Sequence, residues 1–211
     1  VEDQVKVEVQ IPRQEGAGAH PLRAGDRPRN VRAAARQNDW NADMSEKKIL
    51  DVTCGARSIW FNKRHPAAVY CDKRREQFQN LWKNAGNCKL EIEPDIVCDF
   101  TNLPFKDNQF SLLIFDPPHL TGAKETAWLV KKYGKLDENW PKMLRDGFRE
   151  CMRVLKQDGV LIFKWSEYDI PAEKVWKAIG EKPLFGHHSG KKSKTFWGCF
   201  MKGTKGDDGE L

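Results

Sequence analysis

Phe110-Ser111-Leu112-Leu113-Ile114-Phe115-Asp116-Pro117-Pro118-His119 is the stretch on which the reading of this chain turns. Its apolar run, broken only by Ser111, has the composition of a strand buried on both faces. Two consecutive prolines then end it, since neither can donate to a ladder nor continue a strand inside a sheet. A carboxylate and a rigid, donor-free step therefore stand at the carboxyl end of a central strand, which is where open α/β sheets keep their chemistry. Taken alone, Asp-Pro is also an ordinary turn starter.

Outward from that strand, apolar and amphipathic segments alternate. Lys48–Val52 reads as a first strand before a turn at Thr53-Cys54-Gly55, and Ala67–Asp72 as a second. Arg74–Ala85 reads as a helix with Phe78, Leu81 and Trp82 on one face, stopped by Gly86. Asp95–Asp99 is a third strand, Phe110–Phe115 the fourth and Gly159–Trp165 a fifth, with a helix over Lys142–Leu155 before the last of these. A short helix over Ala172–Ile179 and a final strand over Thr195–Lys202 follow. The alternation predicts an α/β fold with a doubly wound, mostly parallel sheet. The Leu184–Met201 hairpin adds a terminal antiparallel strand. Residues 44–202 form the expected domain. Residues 1–43 are an extension with a possible strand over Val5–Ile11 and helix over Val31–Gln37, and 203–211 a polar tail.

The length, 211 residues, suits one domain with additions at its ends, and 39% apolar residues suffice for a core. A net charge of +6 favours an anionic partner, nucleic acid being the commonest. No run approaches the ~18 apolar residues of a membrane span, and the polar N-terminus is no signal peptide. The six cysteines include no C-x-x-C pair, so reduced thiols, a cytoplasmic location and no metal are expected.

Four acids stand in series: Asp51, Asp72, Asp99 and Asp116 each close a predicted strand. Parallel strands point one way, so all four should lie along one edge of the sheet. Lone acids at strand ends are commonly caps or ion-pair partners; four in a row predict an edge that binds a cofactor.

The Asp116-Pro117-Pro118-His119 step resembles the signature of class I S-adenosylmethionine-dependent methyltransferases that modify an amino nitrogen. Asp51-Val52-Thr53-Cys54-Gly55 is similar to their first motif, although Ala56-Arg57-Ser58 stands where the family has further glycines. Residues 45–202 carry the resemblance, and 110–202 looks like small methyltransferases of phage and bacterial genomes, among them DNA adenine methyltransferases. It implies S-adenosyl-L-methionine as cofactor, held by Asp51, Thr53, Cys54 and Gly55, with Asp72 on the ribose hydroxyls and Asp99 and Phe100 on the adenine.

It implies also that Asp116 and the Pro117 carbonyl accept the two N–H groups of an exocyclic amine, freeing its lone pair to attack the methyl. Pro118 stiffens the step. His119 stands where the family has an aromatic ring that stacks on the target base; a turn-capping role is the other reading.

Basic residues interleaved with aromatics suit a single strand or a flipped nucleotide. Lys124, Lys131, Lys132 and Lys135, with Trp128 and Tyr133, follow the Asp-Pro-Pro-His step. Lys164-Trp165 ends the fifth strand, and His187, Lys191, Lys192 and Lys194 make the last turn basic; solvated loops are often lysine-rich as well. Together with these basic loops, the resemblance implies methyl transfer to a base amino nitrogen, adenine N6 in DNA first and RNA next. A protein glutamine-amide methyltransferase and a binding module without turnover are the alternatives.

Overall fold

The computed structural model describes residues 44, 46–79, 89–122, 124, 127–190 and 194–204. The chain divides into two compact units, Val1–Lys47 and Lys48–Leu211, and every element below belongs to the second. The expected strand Val5–Ile11 and helix Val31–Gln37 lie outside the described residues, as do Lys191 and Lys192.

The strands are β1 (Ile49–Asp51), β2 (Ala68–Asp72), β3 (Glu76–Gln79), β4 (Lys89–Ile92), β5 (Ile96–Val97), β6 (Phe110–Phe115), β7 (Leu155–Ser166), β8 (Phe185–His188) and β9 (Thr195–Met201). Among the described residues, the helices that interleave with them are α1 (Trp128–Tyr133), α2 (Trp140–Val154) and α3 (Ala172–Ile179). Seven strands form one sheet in the order β5-β2-β1-β6-β7-β9-β8. The first five of that order run parallel, and β9 is antiparallel to β7 and β8. This is the mostly parallel α/β sheet with a terminal antiparallel strand that the sequence predicts. The order reverses at β1, with β2 on one side and β6 on the other, so the β1 and β6 ends flank the crevice in which such sheets bind ligands.

Burial follows the pleat. Along β7, Leu161, Phe163 and Trp165 are wholly buried on one face, and Val160, Ile162 and Lys164 point to the other. The first face packs against helices: Trp176 of α3 meets Phe163 edge-on at 5.2 Å, and Phe148 of α2 meets Phe200 at 5.0 Å. Leu144, Gly147, Phe148, Cys151 and Val154 recur at helical spacing on the buried side of α2. Gly147 is required there, because a Cβ would lie 2.4 Å from the Phe100 ring.

One predicted element is replaced. The helix expected over Arg74–Ala85 gives way to β3, which pairs antiparallel with β4 from Glu76↔Ile92 to Gln79↔Lys89 as a separate two-stranded sheet. Phe78, Leu81 and Trp82 do fall at helical spacing. The winning pattern is Lys89-Leu90-Glu91-Ile92, whose period of two buries Leu90 and Ile92 and offers Glu76–Gln79 a ladder. Residues 80–88 lie outside the described set. The crossover from β1 to β2 is also free of helix among the described residues.

Candidate active site

Asp51, Asp72, Asp99 and Asp116 do share one edge. All four line a single cavity of about 380 Å³, together with Thr53, Cys54, Gly55 and Phe100. One turn is laced across it by two bonds. Thr53 Oγ1 accepts the Asp116 backbone N–H at 2.9 Å, tying the turn after β1 to the end of β6. Gly55, in the left-handed region at φ 50°, donates its N–H to Asp72 Oδ2 at 3.0 Å, tying the same turn to β2. A side chain at 55 would find open space but a strained backbone.

Beyond Gly55, an arginine does what glycines do elsewhere. Arg57 holds φ 53°, a conformation that costs a non-glycine residue about 1–2 kcal/mol. Its guanidinium donates to the carbonyls of Lys63 and Glu93, both at 2.7 Å, pairs with Asp95 at 3.0 Å, and lies 3.8 Å from the Tyr70 ring centroid. Charge-assisted bonds of this kind contribute about 1.5–3 kcal/mol each, so the fork outweighs the strain. Trp60 completes the turn: its Nε1–H donates to Asp51 Oδ2 at 2.7 Å, and its ring meets Tyr70 edge-on at 5.0 Å. Neither contact is visible in sequence spacing.

The site is electrostatically lopsided. Burial, with Asp116 and Asp72 nearby, lifts the Asp51 carboxyl to about 7 in spite of the Trp60 bond. A folded value above the unfolded one means that Asp51's contribution to stability is full below about pH 4 and is lost as pH rises toward 7. Burial likewise raises Asp116, against the pull of the Lys164 ammonium 2.5 Å from its Oδ2. Asp99 is held below the usual range: Lys73, paired with it at 2.8 Å, and Thr101, donating from both N–H and hydroxyl, outweigh its partial burial. Burial pushes the Cys54 thiol far up, so it lines the cavity as a neutral group. Three of the four carboxylates already meet a cation, Asp72 with Arg74 at 3.4 Å, Asp99 with Lys73 and Asp116 with Lys164, whereas Asp51 is held by the Trp60 indole and the Thr53 N–H.

Several expected residues stand elsewhere. Trp165 is fully buried and donates its indole N–H to the Ile170 carbonyl at 2.8 Å, so it is core and cannot touch a substrate. Strand neighbours point to opposite faces, and Lys164 alone reaches the cavity, where it pairs with Asp116. Pro118 lines the cavity, with Pro117 buried beside it. His119 is 8% exposed and outside the lining, contrary to the stacking role expected of it. Lys124 and His187 are exposed and outside the lining; Lys194 places its ammonium 4.8 Å from the Tyr168 ring. The lining residues the sequence reading did not single out include Ser58 and Ile59 near the first turn, Lys73 and Arg74 after β2, and Met143 of α2, and it missed Arg57 and Trp60 as the residues that hold that turn. Among the described residues no group of three His, Cys, Asp or Glu side chains could hold a metal ion, and no helix is long and apolar enough to cross a membrane.

No family model matches the chain, and no curated relative does. Solved structures do. The PH0226 protein of Pyrococcus horikoshii OT3 is 14% identical over 83% of this chain and 92% of its own, with a TM-score of 0.46. An rRNA methylase from Streptococcus thermophilus is 13% identical over 84% and 99%, at 0.44. A SAM-dependent methyltransferase from Leishmania major is 12% identical over 81% and 72%, at 0.43. Likeness at this level stops at general architecture.

Proposed function

We propose that the chain is a methyltransferase that uses S-adenosyl-L-methionine to methylate an exocyclic amino nitrogen of a nucleic-acid base, adenine N6 in DNA first and RNA next. The observation that carries the reading is the meeting of four strand-end carboxylates and Pro118 on one cavity, with Pro117 buried between Asp116 and Pro118. The donor set fits the cofactor: Gly55 and Thr53 border it with backbone, Asp72 and Asp99 suit hydroxyl and amino donors, and Asp51, held by the Trp60 indole and the Thr53 N–H, suits a cationic group. When bound, it supplies an electrophilic methyl on a positively charged sulfur that departs as a neutral thioether.

The chain's own residues prepare the nucleophile. A base amino nitrogen is weak because its lone pair is delocalised into the ring. Asp116 has one oxygen committed to Lys164, and its other oxygen and the Pro117 carbonyl are the acceptors offered to the two N–H groups. Lys164 opposes the rise that burial imposes on Asp116, favouring the ionised, accepting form. Positive charge growing on the nitrogen then meets fixed acceptors that need no reorganisation, and the surplus proton leaves through Asp116. Lysines 73, 132 and 135 and Arg74 line the same cavity, a rim suited to a polyanion.

Transfer of labelled methyl to DNA, RNA and a protein mixture offered in parallel, followed by digestion and chromatography, is the test. Label on a base amino group is expected. Label in protein alone would move the assignment to an amide target, and binding of S-adenosylhomocysteine without any transfer would make the chain a binding module.

Asp51 adds a second expectation. A ligand carrying an ammonium group favours the ionised carboxylate, so affinity for S-adenosylhomocysteine should rise as pH climbs from 6 toward 8 and flatten above the value near 7. Asp51→Asn should remove the slope. Calorimetric titration across that range checks it; an equal slope in wild type and variant would take Asp51 out of the ligand's reach.

A further inference from the structure

We infer that Tyr133, at the C-terminal end of α1, is the ring on which the target base rests, and that His119 is the buried support behind it. This rests on the reading of the site as a nucleic-acid methyltransferase and adds to it a base-binding subsite. His119 cannot be the platform: it is 8% exposed and packed between Tyr133, 5.4 Å away, and Trp165, 6.3 Å away. Burial depresses its pKa, which keeps the imidazole neutral.

Tyr133 is half-buried and lines the cavity with Pro118, Asp116 and Lys164. Its place is fixed from several sides. Arg74 Nη1 donates to the Lys131 carbonyl at 2.9 Å, and the Leu136 N–H to the Leu120 carbonyl at 2.8 Å. Gly134, next in the chain at φ 77°, lies so close to Pro118 that a Cβ would come within 3.1 Å of its ring. The end of α1 is thus pressed onto the Pro-Pro step, and Tyr133 shares the cavity with Asp116. Lys132 holds its ammonium 4.7 Å from the Tyr133 ring centroid. That pairing of a π-face with a flexible cation suits a nucleotide, whose base takes the ring and whose phosphate takes the lysine. The ligand class is a nucleobase presented from a single strand or flipped out of a duplex.

The test uses the full chain, with 20-nucleotide mixed-sequence DNA and RNA single strands as probes. Binding is read by fluorescence anisotropy in the presence of S-adenosylhomocysteine, and turnover by labelled methyl. Tyr133→Ala should raise both the Kd and the KM for the strand by roughly ten- to a hundredfold. Its kcat at saturating strand and its S-adenosylhomocysteine affinity should stay within about threefold of wild type. Tyr133→Phe should bring Kd and KM back to within about threefold, since the π-face survives. Should Tyr133→Ala fail to fold, Tyr133→Leu keeps the bulk without the π-face and should show the same rise. A wild type that methylates strands whose KM is unmoved in Tyr133→Ala or Tyr133→Leu overturns the subsite while leaving the methyltransferase reading intact. A wild type that methylates neither strand overturns both.

Discussion

Asp116→Ala should lower methyl transfer at least ~100-fold while keeping S-adenosylhomocysteine affinity within a factor of about three. The carboxylate stands one residue past the end of β6, between Thr53, which fixes its backbone N–H, and Lys164, which fixes one oxygen. A group so held is preorganised, and its loss removes an acceptor that matters most when the nitrogen becomes positive. Asp116→Asn is the finer probe. Its amide oxygen can still accept one N–H, but it no longer neutralises Lys164, so activity should fall between wild type and Ala. Near-wild-type turnover in both variants would place the chemistry elsewhere, and loss of ligand affinity in both would make Asp116 part of the cofactor pocket.

Lys164→Met should follow in size and has a signature of its own. Without the ammonium, the rise that burial imposes on the Asp116 carboxyl goes unopposed. The balance then moves toward a protonated Asp116, whose occupied oxygen cannot accept. Turnover should drop roughly tenfold or more near pH 7 and recover as pH rises. Stability should move the other way. A carboxyl raised above its unfolded value costs nothing while protonated and destabilises as pH climbs through its folded value. Breaking a fully buried pair costs about 3–5 kcal/mol. Lys164 and Asp116 keep 17% and 19% of their side-chain surface exposed, so about 2–3 kcal/mol is expected at high pH, or roughly 5–10 °C in melting temperature. Parallel pH profiles of turnover and thermal midpoint check this; a variant whose two profiles shift together contradicts it.

The sheet was legible wherever one strand's burial decided its pattern. Phe110–Phe115 and Val160–Trp165 read as apolar runs, fully buried on the face that α2 and α3 cover and partly buried on the other, and α2 and α3 read by helical spacing. The acids at four strand ends were legible too, because parallel topology alone gathers them. What stayed hidden depends on contacts between distant residues. Lys164 and Asp116 are 48 positions apart and meet because β6 and β7 pair with Phe115 opposite Phe163. Trp165 looked like a partner of Lys164 in the line of sequence, and the pleat sends it into the core. His119 carried the family position of a stacking ring, yet nothing local reveals that its side chain turns inward. The β3–β4 hairpin was lost because Phe78, Leu81 and Trp82 satisfy a helix as well as a strand until β4 is present.

The crossover between β1 and β2 leaves one flank of the sheet differently secured from the other. The β6–β7 side is roofed by α2, and lifting that helix means exposing Leu144, Phe148 and Cys151 at once. On the β2 side, the described residues that cover the Tyr70 ring include the Arg57 guanidinium and the Trp60 indole. Opening the turn that carries them leaves α2 and its packing in place, so it costs less than unfolding the whole. Hydrogen exchange of the turn that follows β1 is therefore expected to precede exchange in β7 and β9, which makes it the softer flank. Because Gly55 and Trp60 belong to the same turn, whatever clasps Gly55 also stiffens that flank, and exchange there reads out occupancy of the crevice.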